Sequence, residues 1–194
     1  MIIGITGGVG AGKSTVLGFL QNEYNAELII LDDISRNMSE PGGGCFEAVG
    51  KFFGKDIVLP DGSYDRKKIA DIVFNDKKLL SELNSVIHPA VRQEVLKRIA
   101  SSENRLIVIE SAILFETGYD ELCDEVWYIF CDENERIRRL AESRNYSEEK
   151  SRAIIKSQKD DGFFRAAADY VIDNSKDTDK TKEQIRKRMI NEVW

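Results

Sequence analysis

Ile2-Ile3-Gly4-Ile5-Thr6-Gly7-Gly8-Val9-Gly10-Ala11-Gly12-Lys13-Ser14-Thr15 is the stretch whose reading decides the fold. Ile2, Ile3, Ile5 and Thr6 are β-branched, and the short run they form around Gly4 predicts a buried strand over Ile2–Thr6. Gly7 to Ser14 fits the spacing G-x-x-x-x-G-K-[ST]. Val16, Phe19, Leu20 and Tyr24 then recur at three- and four-residue steps, which predicts an amphipathic helix opening near Lys13. A glycine-rich segment alone reads as a tight turn. Between a strand and a helix it reads as a phosphate-binding loop, because glycine backbone lets N–H groups approach an anion without Cβ obstruction. The expected nucleotide contacts are Gly8, Gly10, Ala11, Gly12, Lys13, Ser14 and Thr15. Lys13 is expected to reach the β- and γ-phosphates of ATP, the Ser14 hydroxyl to ligate Mg²⁺, and the helix dipole to add positive potential.

Outward from this stretch, four further apolar runs read as strands: Leu28–Leu31, Leu106–Glu110, Val126–Cys131 and Tyr170–Ile172. Near-continuous apolar strands separated by helical patterns predict an α/β fold with a five-stranded parallel sheet flanked by helices. Ile185, Met189 and Val193 mark a closing helix. Residues 35–102 show helical patterns at Phe46–Phe53, Lys68–Phe74, Lys78–Ile87 and Ala90–Ile99, with no convincing strand. That is too long for a simple crossover and is expected to be a helical insertion. Residues 134–168 are helical and carry Arg136, Arg138, Arg139, Arg144, Arg152 and Arg165, as suits a lid over phosphates. The expected layout is one P-loop domain with its core in 1–34, 103–133 and 169–194.

Composition narrows the class. The chain has 194 residues, is 42% hydrophobic and 32% charged, and contains 3 Pro, so one ordinary globular domain is expected. A formal charge of -6 disfavours a nucleic-acid scaffold. Cys45, Cys123 and Cys131 are odd in number and lack C-x-x-C spacing, so neither a disulfide framework nor a zinc site is expected. The first residues lack a signal-peptide pattern, and apolar runs fall short of the ~20 residues that span a bilayer. A cytoplasmic protein without membrane or nucleic-acid partners is expected.

Other residues separate a phosphotransferase from a plain nucleotide binder. A GTPase would carry Asn-Lys-x-Asp and Asp-x-x-Gly, and the sequence has neither. An ATP sensor would need no second pocket. Yet Asp32 and Asp33 stand at the carboxyl end of the second expected strand, where open α/β sheets collect ligands. One of them is expected to cap the next helix, and the other to accept the proton of an attacking hydroxyl. Glu110 ends an apolar strand in a position like that of an acid orienting magnesium through water; capping the segment from Ser111 is its other reading.

Further motifs run along nearly the whole chain: Asp32-x-x-x-Arg36-x-x-x-Glu40-Pro41-Gly42, Phe53-Gly54, and Leu59-Pro60-Asp61-Gly62-Ser63-Tyr64-Asp65-Arg66. Leu83-Asn84, Ile87-His88-Pro89, Leu114-Phe115-Glu116 and Ala168-Asp169-Tyr170-Val171-Ile172-Asp173-Asn174-Ser175 follow. With the loop, these motifs in this order resemble the dephospho-CoA kinase family. The resemblance implies transfer of a phosphoryl group from ATP to the ribose 3′-hydroxyl of dephospho-CoA, with Mg²⁺, by a protein expected to be a monomer. It makes Asp32 the general base, by its spacing to Arg36, and assigns Arg36, Arg66, His88, Arg92 and Glu110 to the acceptor. It brings Asn174 to the adenine of ATP and makes Arg139 and Arg144 lid contacts. His88 reads equally as a packed helix-start residue before Pro89, and Asn174 as part of a turn. A different small-molecule or nucleotide kinase is the neighbouring alternative.

The chain departs from the family pattern in three places. Glu110-Ser111-Ala112 stands where Asp-x-Pro is usual, Arg139 and Arg144 are one residue further apart, and Phe164 replaces a common basic residue beside Arg165.

Overall fold

The computed structural model describes residues 1–190, without the side chains of Lys55, Phe74 and Asn75. The expected helical position of Val193 lies outside the described residues. Five strands form one sheet in the order β2-β3-β1-β4-β5. They are β1 (Ile2–Thr6), β2 (Glu27–Ile30), β3 (Ile107–Glu110), β4 (Glu125–Phe130) and β5 (Tyr170–Asp173). The connections contain α-helix except that from β3 to β4, which holds a short 3-10 turn at Asp120–Leu122, and the sheet is parallel: Ile5 lies beside Glu110 and Trp127, and Phe130 beside Asp173. The apolar runs follow from position. Ile3 and Ile5 of the central strand, Ile109 of β3, and Trp127 and Ile129 of β4 have no exposed surface. Parallel strands covered on both faces bury both sets of alternating side chains, so they show no polar alternation.

The chain divides into two units, one of Met1–Leu28 with the chain from Glu103 onward, the other Ile29–Ser102. In the first, α1 (Lys13–Tyr24) buries Val16, Leu17, Phe19 and Leu20, and α9 (Thr178–Ile190) buries Thr181, Ile185 and Met189. Asn25 ends α1 in the left-handed region at φ 52°, its N–H donating to the Leu20 carbonyl. Helices α6 (Glu133–Arg144), α7 (Glu148–Ser157) and α8 (Asp161–Ala167) occupy the arginine-rich stretch. Ser147 and Asp160 cap the last two through their side chains.

The second unit is helical: α2 (Leu31–Met38), α3 (Phe46–Phe53), α4 (Arg66–Asn75) and α5 (Lys77–Ser101). Cys45, Val49 and Leu83 form its buried centre, with Phe52, Tyr64 and Ile69 packed against them. Tyr64 stacks on Phe46 at 4.2 Å, and its hydroxyl donates to the Phe46 carbonyl at 3.0 Å.

Three local expectations are corrected. The two helical patterns around Pro89 merge into the single 25-residue α5. Pro89 removes one helical N–H, at a cost of ~3 kcal/mol in a helix interior. Burial of Leu83 on one side and Val91 and Val95 on the other offsets it, at ~1.5–3 kcal/mol for each large apolar side chain. Strand β2 lies one residue earlier than expected, and Leu31 already belongs to α2. Helix α2 is capped by Ile30, without a side-chain bond, so neither Asp32 nor Asp33 is the cap. Both acids sit inside its first turn, where the dipole favours negative charge. No described helix is long and apolar enough to cross a membrane, and Cys45, Cys123 and Cys131 are free thiols.

Candidate functional site

Because the strands are parallel, their carboxyl ends share one edge. The turn after β1, the end of β3 and the segment after β5 meet there. The loop after β1 closes on itself through Ala11 N–H to the Gly8 carbonyl at 3.2 Å and Thr15 N–H to Gly12 at 3.0 Å. Gly12 leads into α1 in the left-handed region, with φ 84°. A Cβ there would also collide with the Asn174 amide, so both conformation and space demand glycine. The N–H groups of Lys13 and Ser14, which open α1, have no carbonyl one turn back to donate to, so this helix end is suited to an anion.

Lys13 bends back over this loop. Its Nζ donates to the Gly7 carbonyl at 3.0 Å and lies 3.3 Å from Glu110 Oε1. Both side chains are largely buried, at 16% and 11% exposed. Glu110 therefore holds the lysine head near the loop, a role beyond the metal and acceptor contacts expected of it. Ser14 and Thr15 are exposed on the first turn of α1.

Asn174 follows β5 and is 3% exposed. Its Nδ2 donates to the Ala11 carbonyl at 2.8 Å, and its Oδ1 accepts from the Thr181 hydroxyl of α9 at 2.8 Å. The side chain thus braces the phosphate loop against the last helix. Arg139 of α6 works alongside. It pairs with Glu135 at 2.8 Å and donates to the Asn174 carbonyl at 2.8 Å and the Ala11 carbonyl at 3.4 Å. Arg138 and Arg139 together hold the Glu135 carboxyl down at about 2. Arg144 is exposed at the end of α6, so the structure brings Arg139, and not Arg144, to the loop.

Sequence reading did not single out Arg136 or Gln158. Arg136 Nε donates to the Val9 carbonyl at 2.8 Å, and Gln158 Oε1 accepts from Val9 N–H at 3.0 Å. Arg136 was visible only as one arginine among several. Gln158 and Thr181 are single polar residues that only the fold brings to the loop. Phe164, at the basic position of the pattern, is buried and stacks on Tyr128 at 4.8 Å, while Arg165 pairs with Asp161 and lies over the Phe130 ring. Burial, then Asp161, pushes the Tyr128 phenol up to about 12.

In the helical unit, Asp32 is exposed in the first turn of α2, and Asp33 pairs with Arg36 at 3.2 Å. Arg66, opening α4, donates to the Arg36 carbonyl at 3.1 Å and pairs with Glu40 at 2.5 Å. The structure thus gathers Arg36 and Arg66 into one exposed cluster. Arg92 is half-buried on α5. His88 is exposed in mid-helix, so the packed helix-start reading is corrected: α5 runs through Pro89 and turns His88 outward.

A parallel sheet with a glycine loop between its central strand and α1, closed by a lysine–carboxylate pair, defines a protein of the P-loop nucleotide-binding class. The model of the Dephospho-CoA kinase family matches residues 1–180. The chain belongs to the dephospho-CoA kinase family. A Carboxydothermus hydrogenoformans protein named dephospho-CoA kinase is 39% identical over 187 residues, covering 95% of this chain and 90% of that one. A Corynebacterium diphtheriae protein of the same name is 37% identical over 196 residues, covering 100% and 95%. A crystal structure of a Thermus thermophilus protein superposes with a TM-score of 0.89 at 28% identity, covering 100% of this chain and 98% of that one.

Proposed function

We propose that this enzyme transfers the γ-phosphoryl group of ATP to the ribose 3′-hydroxyl of dephospho-CoA, giving ADP and coenzyme A. The observation that carries the reading is the Lys13–Glu110 pair seated on the phosphate loop, in a chain of this family. Phosphoryl transfer has a loose transition state, so catalysis rests on positioning and on neutralising charge. The loop N–H groups and Lys13 hold the β- and γ-phosphates, and Asn174 fixes the loop that receives them. Arg139 adds positive charge from a lid over 134–168, in which Arg144 stands exposed at the end of α6. In the acceptor-binding region, 35–102, Arg36, Arg66, His88 and Arg92 hold dephospho-CoA. Asp32 directs the ribose hydroxyl at the γ-phosphorus and accepts its proton. Its place in the turn directly after β2 supports this, because parallel sheets collect ligands beyond their strand ends.

The oxygen donors near the loop suit Mg²⁺. Ser14 offers a hydroxyl and Glu110 a carboxylate acting through water, and the described residues contain no cluster of three or more His, Cys, Asp or Glu that would cage a metal. That scarcity fits Mg²⁺, which keeps water and phosphate among its ligands. Bound there, it would neutralise phosphate charge. The enzyme is proposed to act as a cytoplasmic monomer.

The test incubates the protein with ATP, Mg²⁺ and dephospho-CoA and follows CoA and ADP together. Equal amounts of both are expected, with loss of turnover on chelation. ATP binding without CoA formation would favour an ATP sensor.

A further inference from the structure

We propose that Arg136 and Gln158 are positioning residues that clip the tip of the phosphate loop to the arginine-rich helical segment. The inference rests on the phosphate-loop reading above and assigns two residues outside the expected set.

The geometry is closed on itself. Val9 stands at the loop tip, and both its backbone polar atoms are taken by side chains from a distant part of the chain. Its carbonyl accepts from Arg136 Nε at 2.8 Å. Its N–H donates to Gln158 Oε1 at 3.0 Å. The same Oε1 accepts from Arg136 Nη2 at 2.8 Å. One guanidinium, one amide oxygen and one peptide residue therefore form a closed triangle of hydrogen bonds. Each member fixes the others: Gln158 holds the arginine fork in plane, and the fork holds the glutamine oxygen toward Val9.

Three further facts argue for a designed contact. A Cβ at Gly8 would collide with the Arg136 guanidinium, so this approach needs the glycine next to Val9. Among the described residues Arg136 makes no close ion pair, unlike its neighbours Arg138 and Arg139, and Glu133 acts on it only from a distance. Burial disfavours its charged form, and the hydrogen bonds to the Val9 and Gln158 oxygens help to offset that cost, together with more distant groups such as Glu133. Arg136 and Gln158 also line a cleft of about 550 Å³ beside Tyr128 and Phe130, so the clip is part of a wall open to ligands.

The clip acts through the loop. Holding both polar atoms of one residue at the tip fixes the loop's backbone orientation before phosphate arrives, which lowers the ordering cost of nucleotide binding. It also ties α6 and the end of α7 to the loop. The expected kinetic signature is weaker ATP binding with the acceptor unaffected.

The experiment compares Gln158→Leu, Arg136→Lys, Gln158→Glu and the Leu/Lys double variant with wild type. Gln158→Leu keeps size and removes the acceptor. Arg136→Lys keeps charge but loses the planar fork that serves two acceptors. Gln158→Glu keeps an acceptor oxygen. Amide exchange at Val9, read by NMR without nucleotide, is expected to speed up at least about tenfold in Gln158→Leu and Arg136→Lys, and to stay near wild type in Gln158→Glu. The dissociation constant for ATP should rise about tenfold in the two single variants, the scale of one hydrogen bond, while KM for the acceptor changes less than about twofold. The double variant should be no worse than the poorer single one, since either loss opens the triangle.

Unchanged Val9 exchange in Gln158→Leu overturns the clip, and so does unchanged ATP affinity in both single variants. Wild-type behaviour of Arg136→Lys alone would assign the effect to charge and overturn the geometric argument. If Gln158→Leu fails to fold, Arg136→Lys and Gln158→Glu decide by the same two readouts. Absence of CoA formation by the wild type would sink the proposed reaction while leaving Val9 exchange and ATP affinity to judge the clip.

Discussion

The phosphate loop and the acidic start of α2 both follow a strand of the same sheet, yet they are built in opposite ways. The loop is fixed by its surroundings. Carbonyl oxygens of Gly7, Val9 and Ala11 accept bonds from Lys13, Arg136 and Asn174, most of them partly or fully buried. The helical unit's cluster relies on exposed ion pairs, Asp33 with Arg36 and Glu40 with Arg66, each about half exposed. A buried polar contact is costly to lose because its partner stays dry, whereas an exposed pair returns to water at little cost. The comparison teaches where rigidity lies: the loop is a preformed cradle held by buried contacts, and the exposed cluster keeps side chains free to rearrange, so in the proposed reaction ATP would meet the first and the acceptor the second.

The largest effect is expected at Asp32. Asp32→Asn keeps shape but removes the basic oxygen, so kcat should fall by ~10²–10⁴ with ATP affinity nearly unchanged. Asp33→Asn should cost little turnover, since Asp33 serves Arg36 on the helix surface. An inactive Asp33→Asn beside an active Asp32→Asn would move the base to Asp33. The two residues are neighbours on a helical turn, not an extended strand, so they point about 100° apart in any case.

Next comes Lys13→Ala, which removes the cation from the loop and from Glu110. Turnover should drop by ~10²–10³, the scale of one lost transition-state contact, and Tm should fall because a mostly buried pair is broken. Near wild-type turnover at saturating ATP would remove the loop from the chemistry.

The comparison itself is sharpened by two stability measurements. Asn174→Ala leaves the buried Thr181 hydroxyl and Ala11 carbonyl with only long contacts, to Asp177 at 3.5 Å and Arg139 at 3.4 Å, so denaturant unfolding should show a loss of ~1–3 kcal/mol. Arg66→Ala breaks an exposed pair and should cost less than ~1 kcal/mol while raising KM for the acceptor. Equal stability losses would erase the distinction between cradle and cluster.

The smallest effect concerns pH. Arg138 first, and Arg139 with it, lower the folded Glu135 carboxyl to about 2. A depressed acid stabilises the fold above its unfolded value of ~4.3 and loses that contribution as pH falls through the folded one. Stability should therefore decline between roughly pH 4 and about 2, and Glu135→Gln should flatten that part of the profile. An identical acid profile in both proteins would count against the pairing.

Local signals made much of this protein legible in its sequence. Strand, glycine loop and helix were readable because buried parallel strands need continuous apolar residues, and a phosphate cradle needs glycines at fixed spacing. The α/β class and the candidate loop residues followed from the same local demands. Tertiary structure alone decided what a single side chain does once the chain folds. It gave Glu110 to Lys13, Asn174 to the Ala11 carbonyl, and Gln158 to Val9 across 149 positions of chain. It carried α5 through Pro89, and it started α2 at Leu31 with both acids in its first turn. A hydrogen bond between residues far apart in sequence leaves no periodicity and no spacing, because its geometry exists only after the sheet has brought the strand ends together.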